Sequence, residues 1–146
     1  MGASHQTQNL LPPTTDLLGT AKFEEAASTE VTSFDPVANR LVFEAYFNPL
    51  FGGETNETVV KELRGRLEGV LGGLERELGC AVGNRGGGRK YMAGDVFTIV
   101  DIFYVPYMLK LVLLYGEELF QGRERLWGWW ERVSRRESVR LIGGLK

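Results

Sequence analysis

The stretch from Thr98 to Asp101 constrains the fold of this chain more than any other. It reads Thr-Ile-Val-Asp, which matches the capping box Ser/Thr-x-x-Asp/Glu found at helix starts. In such a box the Thr98 hydroxyl accepts a hydrogen bond from the Asp101 amide, and the Asp101 carboxylate accepts one from the Thr98 amide. The residues that follow are apolar almost all round. We therefore expect a helix over residues 99 to about 115, buried in the middle of a bundle and kinked at Pro106.

A first helix is predicted near the N-terminus. It should begin after Pro12-Pro13, with Thr14 or Thr15 as its cap, because these residue types accept hydrogen bonds from free helix amides. Pro36 should interrupt or kink it, since proline has no amide hydrogen and clashes with the preceding turn. The helix should then resume and end at Asn48-Pro49 and the glycines that follow.

A second helix is predicted from about Asn56 to Leu78, where apolar residues recur at three- and four-residue spacing. Four glycines fall on the opposite side of this helix: Gly65, Gly69, Gly72 and Gly73. They indicate either a close contact in an oligomer or a side that faces solvent. We favour the solvent-facing side, because charged residues flank the same face.

The remaining sequence predicts one loop, one turn and one more helix. Residues 79–90 are glycine-rich and basic but lack the phosphate-binding pattern G-x-x-x-x-G-K-S/T, so we interpret them as a solvated loop. A short turn over 117–121 should precede a last helix over about 123–136. No alternating pattern is long enough to build a sheet. The fold class is therefore predicted to be all-α.

Composition limits the function. The chain has 146 residues and 43% apolar residues, which fits one folded domain. We expect a disordered tail over residues 1–10 and a single domain over 11–146. A net charge of −2 gives no electrostatic basis for nucleic-acid binding. No apolar run reaches the roughly 18–20 residues of a membrane span, since the best one, 105–115, carries Lys110 and Pro106, so no membrane partner is expected.

Catalytic and metal-binding residue types are scarce. Cys80 is the one cysteine, which rules out an internal disulfide and suits a reducing cytoplasm. It lies in the glycine-rich loop without a histidine partner, so we interpret it as a passive thiol. The one histidine, His5, lies in the polar tail. A histidine-based metal site and a Ser-His-Asp triad are therefore not expected. We assign no catalytic residue and no metal site.

Three stretches resemble one family. YMAGDVFTIVDI (91–102) is similar to the stretch that opens the central helix of the glutathione transferase C-terminal domain. FDPVANRLVFEAYFNPLFG (34–52) resembles the second half of that family's first C-domain helix, in its phi-like plant and fungal branch. ELFQGRERLWGWWERVSRRES (118–138) resembles its last helix. The resemblance covers roughly residues 11–142 and implies an orthogonal helical bundle of about five to six helices.

The resemblance implies half of a two-part enzyme. In the family, an N-terminal thioredoxin-like domain binds glutathione and activates its thiol, and the helical domain forms most of the pocket for the hydrophobic electrophile. Only 10–15 residues precede the first predicted helix, and a βαβ unit alone needs about 30. We therefore expect the thioredoxin-like domain to be absent. Glutathione would be a co-substrate only if such a domain is supplied, and no other cofactor is expected.

The resemblance also places a pocket wall. It implies that Phe43 and Phe47 face the electrophile site, and their four-residue spacing puts them on one helix face. Tyr107 and Leu111 have the same spacing on the central helix and could line the opposite wall. Core packing is the competing interpretation for all four residues. Val100 stands where the family usually has alanine, which weakens any inference about the ligands accepted.

Three functions stay open on the sequence. The leading hypothesis is a glutathione-transferase-like electrophile-pocket domain, from a detoxification family, whose own transferase activity is left open because the thiol site is missing. The second is a protein-interaction scaffold like the domain in the gamma subunit of translation elongation factor one. The third is a noncatalytic carrier of a hydrophobic small molecule. A homodimer is expected in each case, because a surface that the family covers would otherwise be bare.

Overall fold

The structure is a computed structural model that describes residues 9–80 and 87–143. His5 and most of the predicted tail lie outside the described residues, as does the middle of the predicted loop, 81–86. The described residues are helical apart from turns, loops and one isolated bridge between Tyr91 and Gly94. This confirms the predicted all-α fold.

The first helical run is less regular than predicted. It consists of three α-helical parts, α1 (Leu17–Thr29), α2 (Asp35–Val42) and α3 (Asn48–Leu50). Two π-helical segments, Glu30–Phe34 and Phe43–Phe47, join these parts without a break. The chain therefore stays helical from Leu17 to Leu50.

Each π-helical segment immediately precedes an X-Pro pair. The amide of Asp35 bonds to the carbonyl of Glu30, and the amide of Asn48 bonds to the carbonyl of Phe43, both across five residues. Pro36 or Pro49 comes next and has no amide hydrogen to donate. The wider π turn accommodates the proline, so Pro36 does not interrupt the helix. The run ends at Leu50, between Asn48-Pro49 and the glycines that follow, as predicted.

The predicted cap of the first helix is also wrong. Asp16, and not Thr14 or Thr15, caps α1, with Oδ1 accepting a hydrogen bond of 2.9 Å from the amide of Gly19. A turn closed by the Asp16 amide on the carbonyl of Pro13, at 2.9 Å, places Asp16 at the helix start. The linker geometry therefore selects the third of three residues that could each serve as a cap.

The second long helix, α4 (Glu57–Gly79), agrees with its prediction to within a residue at each end. Asn56 caps it by accepting a hydrogen bond of 3.2 Å from the Val59 amide. Its buried stripe consists of Leu63, Leu67, Leu71, Leu74 and Leu78. On the other side, a Cβ added at Gly65 or Gly69 would have no neighbour within 4 Å, which agrees with a solvent-facing side.

The central helix is α5 (Ile99–Tyr115), as predicted, and Pro106 lies inside it without ending it. A 3-10 helix (Gly116–Phe120) follows directly. The predicted last helix is α6 (Glu124–Ser134), which agrees with its prediction to within two residues at each end, and a short α7 (Glu137–Ile142) that was not predicted follows it. The central helix packs against α1 and α2, while α4 packs against α2 and α6. The core lies among these helices.

One expectation about apolar runs does not hold. The helical stretch Ile99–Phe120 has 22 residues and is long and apolar enough to cross a membrane by length and composition alone. It reaches this length because the 3-10 helix continues α5. Its first turn carries the buried Asp101, and its inner face packs on α1 and α2. These contacts are typical of the core helix of a bundle, and such a helix can have the same length and apolar composition as a membrane span.

Candidate functional site

The four predicted pocket residues differ in exposure. Phe43 is 50% exposed, and Phe47 and Tyr107 are partly buried. Phe43 and Phe47 form the two ends of the second π-helical segment. Leu111 is 0% exposed, so its side chain lies in the core in this structure and presents no surface to a ligand.

Aromatic side chains cluster around Phe47. The rings of Tyr46 and Phe47 meet edge to face at 5.1 Å, and those of Phe47 and Phe51 stack at 6.2 Å. We call Phe43, Tyr46, Phe47 and Phe51 the aromatic surface. Phe51 is 78% exposed, so one end of this surface is open to solvent. Sequence reasoning missed Tyr46 and Phe51, although Phe51 continues the four-residue spacing of Phe43 and Phe47.

Lys110 of the central helix contacts this surface. Its Nζ donates a hydrogen bond of 3.3 Å to the Tyr46 hydroxyl and lies 4.3 Å from the centre of the Tyr46 ring. Sequence reasoning treated Lys110 only as an interruption of an apolar run. Its partner is 64 residues away in the chain, and no local signal indicates such a contact.

Two acidic groups lie near Tyr107. Glu30 is only 6% exposed, and its pKa is raised by burial and by the nearby charge of Asp35. Burial is the main cause that raises the pKa of Tyr107, and the negative charges of Asp35 and Glu30 raise it further. Burial also raises the pKa of Tyr104, with a smaller effect of Glu30. Tyr107 is therefore a neutral phenol at pH 7, and the charged groups that act on it are negative.

The buried carboxylate of Asp101 accepts hydrogen bonds from three other residues. Its Oδ2 accepts a hydrogen bond of 2.9 Å from the Thr98 amide. Its Oδ1 accepts bonds of 3.0 Å from the Met92 amide and 2.8 Å from the indole Nε1 of Trp129. Burial raises the pKa of Asp101, and these three hydrogen bonds oppose the rise. The carboxylate is 0% exposed, so it stabilises the helix start and contacts no ligand.

The two halves of the capping box are unequal. The Thr98 side chain faces the Asp101 amide as the box requires. Its Oγ1 nevertheless makes no hydrogen bond of normal geometry, and it is the one buried side-chain oxygen or nitrogen in the described residues without a partner. The Asp101 half therefore contributes most of the stabilisation.

Cys80 is an exposed free thiol whose Sγ lies 3.3 Å from the carbonyl oxygen of Arg76. Within residues 9–80 and 87–143, no group of three or more histidine, cysteine or carboxylate side chains could hold a metal ion.

Two of the grooves formed by the described residues lie between long helices. One, of about 440 Å³, lies between α5, α6 and α7. Its lining is mainly apolar and consists of Pro106, Leu109, Lys110, Val112, Leu113, Trp130, Ser134, Ile142 and Gly143. The other, of about 480 Å³, lies between the first helical run and α4, and includes Gly69 and Gly73 of the glycine side.

Comparison with known proteins identifies the family. The model of the glutathione S-transferase C-terminal domain matches residues 34–137. "Glutathione S-transferase PM239X14" of Arabidopsis thaliana is 34% identical over 136 residues, which are 93% of this chain and 56% of that protein. The chain therefore spans about half the length of this curated relative.

Solved structures agree with this match. Glutathione transferase F2 from Populus trichocarpa is 28% identical, with a TM-score of 0.78 over 93% of this chain and 59% of that one. Glutathione S-transferase I from maize, in complex with an atrazine glutathione conjugate, shares the fold at 24% identity, with a TM-score of 0.81 over 96% of this chain and 62% of that one. The chain belongs to the glutathione S-transferase family and contains its C-terminal helical domain.

Proposed function

We propose that this helical domain binds the hydrophobic electrophile of a glutathione transferase reaction, and that a thioredoxin-like domain must supply the activated thiol. The aromatic surface is the observation that carries the proposal. Phe43 and Phe51 expose 50% and 78% of their surface at the end of the first helical run, next to the central helix. Aromatic rings at an open surface suit a flat, apolar substrate.

The charges beside Tyr107 argue against thiol activation at that position of the central helix. A thiolate is stabilised by a helix N-terminus, a hydrogen-bond donor or a positive charge aimed at sulfur. Glu30 and Asp35 place negative charge beside Tyr107 instead. A thiol placed there would have its pKa raised, so its nucleophilic form would be disfavoured.

The groove between α5, α6 and α7 supports a covering domain. Its lining includes Leu113 of the central helix, which is 67% exposed, and Ile142 of α7, which is 64% exposed. Large apolar side chains of this kind are normally covered by another domain or subunit. We infer that the thioredoxin-like domain, whether joined to this chain or supplied by another, covers this groove.

Homodimer formation is part of the proposal. Large apolar side chains such as Leu17 and Leu50 are 81% and 64% exposed, and a second subunit would cover such a surface. Analytical ultracentrifugation tests this part separately. A monomer at high protein concentration would contradict it without affecting the proposed pocket.

Displacement of a neutral fluorescent probe tests the pocket. N-phenylnaphthylamine should bind the purified chain and be displaced by chlorodinitrobenzene, an aryl electrophile. Phe47→Ala should weaken both interactions, because Phe47 stacks at the centre of the aromatic surface. Val31→Ala, which removes an exposed side chain from the first run, is the control. Failure of the electrophile to displace the probe would overturn the proposal.

Noncatalytic transport of a hydrophobic molecule is the second candidate, because the same open aromatic surface could hold a ligand without chemistry. A conjugation assay with both domains present distinguishes this carrier function from the transferase function. If the chain shows probe binding but no conjugation even when a thioredoxin-like domain is supplied, the carrier function replaces the transferase function.

A further inference from the structure

Lys110 is a charged residue on a central helix that is otherwise mainly apolar. Asp101 and Lys110 are the two charged residues of α5, and the hydrogen bonds of Asp101 account for its burial. Lys110 is only partly buried, and its ammonium group contacts Tyr46. Within the described part of the chain, no carboxylate lies within ion-pair distance of its Nζ.

The contacts of Lys110 leave hydrogen-bonding capacity unused. An ammonium group has three N–H donors, and Lys110 gives one to the Tyr46 hydroxyl at 3.3 Å. Because that hydroxyl accepts from Lys110, its own hydrogen is free to point away from the ammonium. Both side chains are only partly buried. The pair therefore presents two kinds of donor beside the aromatic surface.

Charge differs along this side of the central helix. Tyr107 lies one turn before Lys110, and the negative charges of Asp35 and Glu30 raise its pKa. Lys110 itself brings a positive charge to the ring of Tyr46. An elongated ligand with one anionic end would therefore prefer to place that end at Lys110.

We propose that Lys110 and Tyr46 form an anion-recognition pair that makes the electrophile pocket selective for aryl compounds with an anionic group, such as a carboxylate or sulfonate. This inference rests on the proposed function, because the aromatic surface must hold the apolar body of the ligand. Lys110 supplies a charge-assisted hydrogen bond, and Tyr46 both positions the ammonium and donates a second bond. The rings of Phe47 and Phe51 contact the aryl part.

Two probes that differ only in charge provide the test. Anilinonaphthalene sulfonate and N-phenylnaphthylamine share the same aromatic body, and only the first carries a sulfonate. Lys110→Met keeps the aliphatic length of the side chain but removes its charge. It should weaken binding of the sulfonate about fivefold, as expected for a partly exposed charge contact, and leave the neutral probe unchanged. Tyr46→Phe should have a smaller effect in the same direction.

The control is Lys61→Met, which removes an exposed charge from α4 and should change neither affinity. Equal weakening of both probes by Lys110→Met, or no effect on either, would overturn the inference while leaving the proposed pocket intact. It would also be overturned if Phe47→Ala changed neither affinity, because the sulfonate would then bind elsewhere. If wild-type protein binds neither probe, the proposed function itself fails.

Glutathione also carries carboxylates. Competition between glutathione and the sulfonate probe therefore shows whether Lys110 binds glutathione or the second substrate. Glutathione should not displace the sulfonate probe from wild-type protein. Displacement that is lost in Lys110→Met would mean that Lys110 binds glutathione, and the assignment to the second substrate would be wrong.

Discussion

The indole Nε1 of Trp129 donates a hydrogen bond of 2.8 Å to Oδ1 of Asp101, and so ties α6 to the first turn of the central helix. The same carboxylate accepts the amides of Met92 and Thr98. One side chain therefore fixes the loop before the helix, the helix start and the neighbouring helix. Since Asp101 is fully buried, water cannot replace any of these bonds.

Asp101→Asn should destabilise the fold. An amide group keeps one oxygen, so its NH₂ must face the amide of Thr98 or the donors of Met92 and Trp129. We expect a loss of about 2–3 kcal/mol in the free energy of unfolding, the cost of unpaired buried donors. Urea unfolding measures it. Asp95→Asn, at an exposed position in the preceding loop, is the control. A loss no larger than that of the control would contradict the role of Asp101.

The stability contribution of Asp101 should depend on pH. Its pKa is raised in the folded protein, so between the ordinary aspartate pKa of about 4 and the raised value the folded state binds more protons than the unfolded state. The free energy of unfolding should therefore fall as pH increases through this window and stay constant above it. The difference between wild type and Asp101→Asn isolates this effect from Glu30, whose pKa is also raised. A difference that increases with pH in that window would contradict it.

Thr98→Val should be nearly neutral. A working N-cap side chain is worth about 0.5–2 kcal/mol, but the Thr98 hydroxyl is buried without a normal hydrogen bond. Removing it should change the unfolding free energy by no more than about 0.5 kcal/mol. Thermal and urea unfolding both report this quantity. A loss above about 1 kcal/mol would show that the hydroxyl caps the Asp101 amide in solution.

Glu75 of α4 should act as a cap for α6. Its carboxylate accepts hydrogen bonds of 3.2 Å and 2.7 Å from the amides of Arg125 and Leu126, and α6 has no capping side chain of its own. Glu75→Ala should cost about 1 kcal/mol. Glu62→Ala, at an exposed position of the same helix, is the control. Equal stability of the two variants would argue that these bonds are not formed.

Local features of this fold were predictable, and long-range ones were not. The central helix and its box follow from a pattern within a few residues, and so does the leucine stripe of α4. The Asp101–Trp129 bond spans 28 residues, and the Lys110–Tyr46 contact spans 64. Such contacts depend on helix packing, which spacing along the chain does not specify.

The errors at the first helical run have a similar cause. A proline predicts an interruption when only α-helical turns are considered. Here bonds across five residues absorb Pro36 and Pro49, and packing of the run on α4 and α5 keeps it continuous. The burial of Leu111 was not predictable for a different reason. Its four-residue spacing from Tyr107 does not determine whether its side chain faces a pocket or the core.

The rate of glutathione conjugation to chlorodinitrobenzene, measured with and without the purified chain, tests the central claim most directly. That claim is that these helices hold the electrophile but do not activate the thiol. The account predicts the same rate in both cases, although the electrophile displaces the neutral probe. A faster rate that saturates with glutathione and disappears on heat denaturation would contradict it.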